Sequence, residues 1–299
     1  MAFVTSKEIM TDAYRNNYGI GAFAVHNLEI LEAVVRQAEK LAAPIILQTT
    51  PGTVKYLGID RAVQMIKATA EKAKIPIALH LDHGDSFETA MKCLRAGYTS
   101  IMIDGSHLPF EENIELVKRV VAAAKPMGVP VEAELGTIGG VEDDLEVSEE
   151  YAMFTQPSDA KTFVEETDID FFAPAFGTAH GLYKKEPKLR FDLLEQINKM
   201  VDVPIVMHGA SGVPDVSVME ALKYGVAKVN FSTELKVVFV EALRKVLSED
   251  PDVSDPRKYF VPAMDEVSKV VAQKISLLGS ANKGGSGLDH NRYLERSNR

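Results

Sequence analysis

The chain contains a single cysteine, Cys93, among its 299 residues, so no intramolecular disulfide can form. It also lacks any run approaching about 18 consecutive apolar residues, the length that a membrane-spanning helix needs. Its first ten residues, MAFVTSKEIM, lack the apolar run of a secretory signal peptide. These absences favour a cytoplasmic protein with no membrane partner.

A surplus of basic residues is missing as well. The chain has 33 Lys and Arg against 43 Asp and Glu, which gives a formal net charge of -10. Surfaces that bind nucleic acid generally need clustered Lys and Arg, so we expect no nucleic-acid partner. A small anionic metabolite is still compatible with this balance, because one pocket can be locally positive.

Eight short apolar runs recur along the chain, and helical patterns separate most of them. The runs are GIGAFAV (19–25), PIILQTT (44–50), PIALHLD (76–82), SIMIDGS (100–106), VPVEAEL (129–135), DFFAPAF (170–176), PIVMHGA (204–210) and AKVNFST (227–233). Strands that alternate with helices pair in parallel through crossover connections. Eight such units predict an α/β fold, a (β/α)₈ TIM barrel, and residues 1–280 fit the usual size of one such domain.

Three segments extend this pattern. The longest gap follows the fifth strand and contains TIGGVEDDLEVSEEYAMFTQPSD (137–159), which we interpret as a functional loop and a candidate active-site lid. Two C-terminal helices are predicted after the eighth strand, in 233–250 and 261–279, and we expect them to support a homo-oligomer, either a dimer or a tetramer. Residues 281–299 are polar, and we expect a mobile tail.

Three histidines sit at the ends of three of the predicted strands: His83, His180 and His208. The C-terminal ends of the strands of a barrel open onto one shared face. Three imidazoles meeting there would form a metal site with an open position, which is typical of catalytic zinc. Each histidine alone would be interpreted as structural. At the third strand the sequence leaves a second possibility, in which His80 is the ligand and Asp82 is its hydrogen-bonded partner.

Other polar residues at the same face could act on a substrate. Asp82 precedes His83, and although neighbours on a regular strand point to opposite sides, both can reach the mouth where the strand turns. Further carboxylates collect nearby: Asp104 after the fourth strand, Glu132 and Glu134 on the fifth, and Glu142, Asp143 and Asp144 in the long gap. A mobile acid in that gap could serve as a general base.

The loops after the seventh and eighth strands read HGASG (208–212) and NFSTE (230–234). TIM barrels often bind phosphate at this position. The candidate donors are Gly209, Ala210, Ser211, Asn230, Ser232 and Thr233, since backbone N–H groups and hydroxyls near a helix N-terminus favour anions. Turn and capping roles are the alternative for Ser232 and Thr233.

As a set, HLDHG, SIMIDGSH, EAELGTIGG, GTAHG, HGASG and KVNFSTE resemble the class II, metal-dependent ketose-bisphosphate aldolases over about residues 1–280. The resemblance implies that His83, His180 and His208 hold one catalytic Zn²⁺. As a Lewis acid, this ion would stabilise the enediolate formed from dihydroxyacetone phosphate. A monovalent cation is a further candidate ion.

The same resemblance implies roles for the remaining residues. Glu142 would move the proton at the ketone half, and Asp82 would protonate the oxygen of the other half during cleavage. Asp104 and Glu134 match positions of an alternate metal placement. Arg257 matches an arginine that binds the far phosphate, often across a subunit interface. The dihydroxyacetone-phosphate site matches Gly181, Gly209, Ala210, Ser211, Asn230, Phe231, Ser232 and Thr233.

Three alternatives remain at this point. An aldolase could use a lysine Schiff base as its electron sink, but lysines near the strand ends are few, and we interpret Lys228 as structural or at the rim. Ser232, where many fructose-bisphosphate enzymes carry Asp, favours tagatose 1,6-bisphosphate over fructose 1,6-bisphosphate. A phosphosugar-binding barrel without turnover is the alternative from another class.

Overall fold

The computed structural model describes residues 3–142, 145–147, 153–181, 183 and 186–285, with only the backbone described at 141, 142 and 145–147. Its strands, in chain order, are β1 (Ile20–Ala24), β2 (Ile45–Thr49), β3 (Ile77–Gly84), β4 (Ser100–Ile103), β5 (Val131–Leu135), β6 (Gly139–Glu142), β7 (Leu145–Val147), β8 (Phe171–Pro174), β9 (Ala179–His180), β10 (Ile205–Met207) and β11 (Val226–Phe231). Each of the eight predicted strands is confirmed.

Eight strands close into a parallel barrel in the order β1-β11-β10-β8-β5-β4-β3-β2. The helices are α1 (Ser6–Arg15), α2 (Leu28–Lys40), α3 (Pro51–Leu57), α4 (Ile59–Ala70), α5 (Phe87–Ala96), α6 (Phe110–Ala124), α7 (Pro157–Thr167), α8 (Phe191–Met200), α9 (Asp215–Leu222), α10 (Thr233–Glu249) and α11 (Pro256–Leu277). The predicted TIM barrel with additional C-terminal helices is therefore confirmed.

Helix α1 was not predicted from the sequence, and it closes the N-terminal end of the barrel. Its buried residues Ile9 and Met10 pack with Ile20, Ile46 and Val206, which point into the barrel. A larger apolar core lies between the outer faces of the strands and the surrounding helices. The apolar part of the barrel interior thus lies towards α1, which leaves the other end for polar groups.

Alternation along the strands produces a polar interior above this apolar layer. Leu79 and Leu81 on β3 pack outward into the helix-facing core, so His80 and Asp82 point inward. The same period places Gln48 on β2, Glu132 and Glu134 on β5, and Lys228 and Asn230 on β11 inside the barrel. All of these polar side chains are buried. A TIM barrel interior is usually apolar, so this concentration of buried polar groups marks a site.

The long segment after β5 is more ordered than the predicted loop. Strands β6 and β7 pair antiparallel, and β6 also pairs in parallel with β9, which gives a small sheet in the order β7-β6-β9. Residues 143–144 and 148–152 lie outside the described part of the chain. The predicted lid is therefore built at least partly on a hairpin attached to β9.

The C-terminal additions pack on the barrel. Helix α11 packs against α10 and α2. Beyond it, Asn282 N–H donates to the Leu41 carbonyl at 2.8 Å, and Gly284 N–H donates to the Ala42 carbonyl at 2.7 Å. The remainder of the predicted tail, 286–299, lies outside the described residues. Among those described, no helix has the length and apolarity needed to cross a membrane.

Candidate active site and metal centre

The end of β3 brings Asp82 and His83 to the same face of the barrel. His83 has a backbone φ of 47°, in the left-handed region that costs a non-glycine residue about 1–2 kcal/mol. The pairing of β3 with β4 shifts register between Leu81 and Gly84. This break in the alternation explains how two successive residues both reach the mouth.

The three predicted metal ligands converge there. The ring centroids of His83 and His208 lie 4.7 Å apart, those of His83 and His180 lie 4.9 Å apart, and those of His180 and His208 lie 6.0 Å apart. Each ring offers one nitrogen, and these three atoms lie within 4.8 Å of one another. His80 is not part of this group, so the alternative in which it joins His180 and His208 as a ligand is not favoured.

His180 reaches the group from an unexpected element. The sequence predicted it at the end of a barrel strand, but β8 ends at Pro174, and His180 lies on β9 of the small sheet. Two glycines allow the close packing that holds it there. A Cβ at Gly140 would lie 2.1 Å from the His180 carbonyl oxygen, and one at Gly209 would lie 2.5 Å from the Ala179 carbonyl oxygen.

The outward nitrogens of two ligands are held by carboxylates. His83 Nδ1 lies 2.7 Å from Asp104 Oδ2, and His208 Nε2 lies 2.8 Å from Glu132 Oε1. A neutral imidazole bonded in this way keeps its proton towards the carboxylate, so its other nitrogen carries a lone pair.

The two lone-pair atoms, His83 Nε2 and His208 Nδ1, face each other at 2.9 Å. Two nitrogen ligands of a tetrahedral zinc, each about 2.0–2.1 Å from the ion, are about 3.3 Å apart. Two lone pairs that face each other repel unless a cation lies between them. A small increase in the distance between the two nitrogens would make room for a metal ion. The donor set therefore fits a divalent metal with imidazole ligands.

Asp104 and Glu134, which the resemblance implied as an alternate metal placement, lie beside the three histidines. Together with His83 they form a second group whose ligand atoms lie within 4.8 Å of one another. Glu134 Oε2 is 3.8 Å from His208 Nδ1. Burial alone would raise the pKa of Asp104, but the hydrogen bond from His83 and the hydrogen bonds from Ser106 hold that pKa well below its usual range. Asp104 is therefore an ionised partner of His83.

Asp82 is fully buried beside the histidines, and two side-chain amides fix it. Gln48 Nε2 donates to Oδ2 at 2.8 Å, and Asn230 Nδ2 donates to Oδ1 at 3.0 Å. The amide oxygens of Gln48 and Asn230 are buried without a hydrogen-bond partner among the described residues. A bound molecule with hydroxyl groups could donate to both.

A charged network that was not predicted lies beneath the histidines. Lys228 Nζ donates to Glu132 Oε1 at 3.0 Å and to Glu132 Oε2 at 2.9 Å, and it lies 3.3 Å from His80 Nε2. Lys228 is fully buried, which fits the structural interpretation of this residue and not a place at the rim. In the sequence, only the alternation of residues along β11 indicated that the Lys228 side chain points into the barrel. Its ammonium is fully engaged, which does not favour a Schiff-base role.

Protonation in this network follows from burial and charge. Burial, and then the charge of Lys228, lower the pKa of His80 well below its usual value. Burial also lowers the pKa of His208, against the opposing effect of its bond to Glu132. Burial would raise the pKa of Glu132, but Lys228 and then the two histidines hold it well below its usual range. At neutral pH, neutral imidazoles therefore surround an ionised carboxylate.

The predicted phosphate loops follow β10 and β11, which pair in parallel, so the two loops are neighbours. Gly209 and Gly212 have φ values of 62° and 85°, which suit a tight turn. Ser232 is the N-cap residue of α10, and Thr233 is its first helical residue. Phe231 is fully buried, so its side chain is not open to a ligand. Gly181 lies in a bend directly after β9.

Two charged residues whose pairing was not predicted connect these loops. Glu234 Oε1 accepts a hydrogen bond from Gly212 N–H at 2.7 Å, and its Oε2 lies 2.9 Å from Lys274 Nζ. Lys274 belongs to α11 and is only 5% exposed. The C-terminal helix thus neutralises an acid that ties the two loops together.

Two predicted residues are not joined to this site by described contacts. The Arg257 side chain is 86% exposed in the first turn of α11, where it pairs with Asp255 at 2.8 Å. Glu142 is the last residue of β6, and its side chain lies outside what the structure describes. Their roles remain predictions.

This chain is similar to known proteins over nearly its whole length. The family model described as fructose-bisphosphate aldolase class-II matches residues 4–283. The YdjI aldolase from Escherichia coli K12 is 32% identical with a TM-score of 0.83, over 95% of this chain and 100% of that one. A proposed fructose-1,6-bisphosphate aldolase from Coccidioides immitis is 30% identical with a TM-score of 0.86, over 93% of this chain and 97% of that one.

A fructose-bisphosphate aldolase from Campylobacter jejuni is 23% identical with a TM-score of 0.78, over 94% of this chain and 97% of that one. At this identity the likeness shows the fold alone. The family match covers nearly the whole chain, and the predicted family is confirmed. The chain belongs to the class-II fructose-bisphosphate aldolase family and is an aldolase, a lyase that acts on carbon–carbon bonds.

Proposed function

We propose that this aldolase binds one Zn²⁺ through His83, His180 and His208 and reversibly cleaves a ketose 1,6-bisphosphate. The products would be dihydroxyacetone phosphate and glyceraldehyde 3-phosphate. The observation that carries the proposal is the convergence of three imidazole nitrogens within 4.8 Å of one another, beside the buried carboxylate of Asp82. When bound, Zn²⁺ would act as a Lewis acid on the ketone oxygen and stabilise the charge left on the ketone half.

Proton balance determines what Asp82 does. When the C3–C4 bond breaks, the C4 hydroxyl becomes an aldehyde and must lose its proton. Asp82 therefore accepts that proton during cleavage and returns it during condensation, so the direction expected from the resemblance is reversed. Each carboxylate oxygen has two lone pairs, so an oxygen that accepts from Gln48 or Asn230 can still accept from substrate.

The ketone half gains a proton at C3 when cleavage is complete. We assign this transfer to Glu142, at the end of β6 in the hairpin attached to β9. Because β9 also carries His180, movement of this hairpin would couple the proton donor to the metal site. A general acid must come within hydrogen-bonding reach of the atom that it protonates.

The C1 phosphate of the ketone half would lie against the loops after β10 and β11, with Gly181 at their edge. Backbone N–H groups of Gly209, Ala210 and Ser211 and the start of α10 provide the positive ends of peptide dipoles. Lys274 balances the charge of Glu234 at this position, so the carboxylate does not repel an approaching phosphate. Asn230 and Ser232 add polar side chains.

The far phosphate would be bound by Arg257, whose exposed guanidinium could reach the site of a neighbouring subunit. We therefore propose a homo-oligomer, a dimer or a tetramer, of cytoplasmic location. A monovalent cation is a further candidate ligand.

For the sugar, we propose tagatose 1,6-bisphosphate, because Ser232 leaves a small residue where many fructose enzymes carry Asp. We expect kcat/KM to be higher for tagatose 1,6-bisphosphate than for its fructose epimer, measured on one sample whose zinc content is determined. A fructose preference above about tenfold, or about 1.4 kcal/mol in transition-state free energy, would reverse the assignment. Protein that binds dihydroxyacetone phosphate but turns over neither sugar would indicate a non-catalytic barrel.

A further inference from the structure

We propose that the buried pair Lys228–Glu132 positions the metal ligand His208. The inference rests on the proposed zinc function and goes beyond it. It assigns to two residues beneath the site the task of holding the His208 ring so that its Nδ1 faces His83 in the three-histidine group. Neither residue is proposed to touch the metal or the substrate.

Glu132 and His208 are in direct contact. Glu132 Oε1 lies 2.8 Å from His208 Nε2, and both side chains are fully buried. An ionised carboxylate can only accept a hydrogen bond, so Nε2 carries the proton. His208 Nδ1 is then left as a lone-pair atom, and it is the nitrogen that faces His83 Nε2 at 2.9 Å.

The negative charge of Glu132 is balanced by Lys228. An isolated carboxylate buried in a protein is very unfavourable unless a partner balances it. Lys228 supplies that partner, with its ammonium within 3.0 Å of both carboxylate oxygens. The two bonds hold the carboxylate plane between Lys228 below and His208 above, so Glu132 cannot turn away from the histidine.

The ammonium of Lys228 has a hydrogen-bond acceptor for each of its protons. Its three protons have three acceptors: two oxygens of Glu132, and His80 Nε2 at 3.3 Å. His80 can accept at Nε2 because its other nitrogen lies 2.7 Å from Ser100 Oγ, which Ser6 on α1 also contacts at 2.7 Å. The network therefore runs from the α1 end of the barrel to the metal ligand.

The position of Lys228 also bears on competition for the metal. His80, Asp82 and Glu132 form a group with ligand atoms within 4.8 Å of one another, close enough to hold a cation. The ammonium is bonded to two of these three residues. It therefore takes the place of a cation beside His80 and Glu132 and keeps Glu132 from serving as a metal ligand.

Three variants test the proposal by Zn²⁺ affinity, measured by competition with a fluorescent chelator. Lys228→Met leaves Glu132 without a balancing charge, and we expect zinc affinity to fall about 10–100-fold, the usual effect of losing a partner of a metal ligand. Lys228→Met/Glu132→Gln is neutral and keeps an acceptor for His208 Nε2, so we expect affinity within about threefold of wild type. Lys228→Met/Glu132→Leu is equally neutral but has no acceptor for His208 Nε2, so we expect zinc affinity to fall again by about 10–100-fold.

The spectrum of the Co²⁺-substituted protein provides a readout that stability alone would not change. We expect its visible bands to shift in Lys228→Met and Lys228→Met/Glu132→Leu, and to stay as in wild type in Lys228→Met/Glu132→Gln. If Lys228→Met does not fold, the two neutral double variants decide. Equal zinc affinities and spectra in those two would overturn the proposal. Wild-type protein that binds no zinc would instead overturn the proposed function itself.

Discussion

Asp82→Ala will abolish cleavage while zinc stays bound. General acid–base catalysis by a positioned side chain contributes about 10²–10⁴-fold to the rate, so we expect kcat to fall by that factor. Zinc content should stay unchanged, because Asp82 contacts Gln48 and Asn230 and is not one of the three converging imidazoles. The two measurements are steady-state cleavage rate and metal analysis on the same sample.

The variant also leaves two buried amide donors without an acceptor, at a cost of about 1–3 kcal/mol each in stability. Thermal unfolding must therefore confirm that the protein is folded at the assay temperature. Asp170→Ala is the matched control, since Asp170 accepts a hydrogen bond from Val131 N–H just before β8, at the opposite end of the barrel. It should leave kcat near wild type. A near-normal rate for Asp82→Ala would refute the proton-transfer role.

In His208→Ala we expect metal and activity to disappear together. The loss of one of three imidazoles should weaken zinc affinity by more than about 100-fold, since even partners of ligands account for about 10–100-fold. Activity assayed without added metal should fall to background. The Lys228–Glu132 pair stays intact beneath the vacated position, so the barrel retains its charge balance. Equilibrium dialysis against Zn²⁺ and the cleavage assay measure the two effects.

His107→Ala is the control for this variant, because it also removes an imidazole, but from an exposed residue after β4. It should keep both zinc and activity. If His208→Ala retained full zinc occupancy at wild-type affinity, then the ion would be bound by other residues. The group of His83, Asp104 and Glu134 would be the first to test.

Most of the fold followed from local patterns in the sequence. Short apolar runs separated by helical patterns marked the eight barrel strands, and the helical patterns between them predicted helices around the barrel. The site histidines could be placed together because every parallel strand of a barrel ends on one face. That rule needs no knowledge of individual contacts, and it brought His83 and His208 correctly to the mouth.

The rest depended on contacts between residues far apart in the chain. His180 reaches the site through pairing of β9 with β6, which two short Gly-rich segments do not signal. Lys228 and Glu132 meet across the barrel interior, 96 residues apart. Lys274 reaches Glu234 because α11 packs against α10. In each case the sequence shows a charged or polar residue within an element, but not its partner.

Cleavage activity measured against bound zinc tests most directly whether the three histidines hold the electron sink of this enzyme. The metal would be removed by a chelator and restored by titration with Zn²⁺, with activity and metal content followed together. We expect activity to vanish with the metal and to return in proportion to bound Zn²⁺, up to about one ion per chain, as a single three-histidine site requires. Full activity in protein with no bound metal would contradict that role.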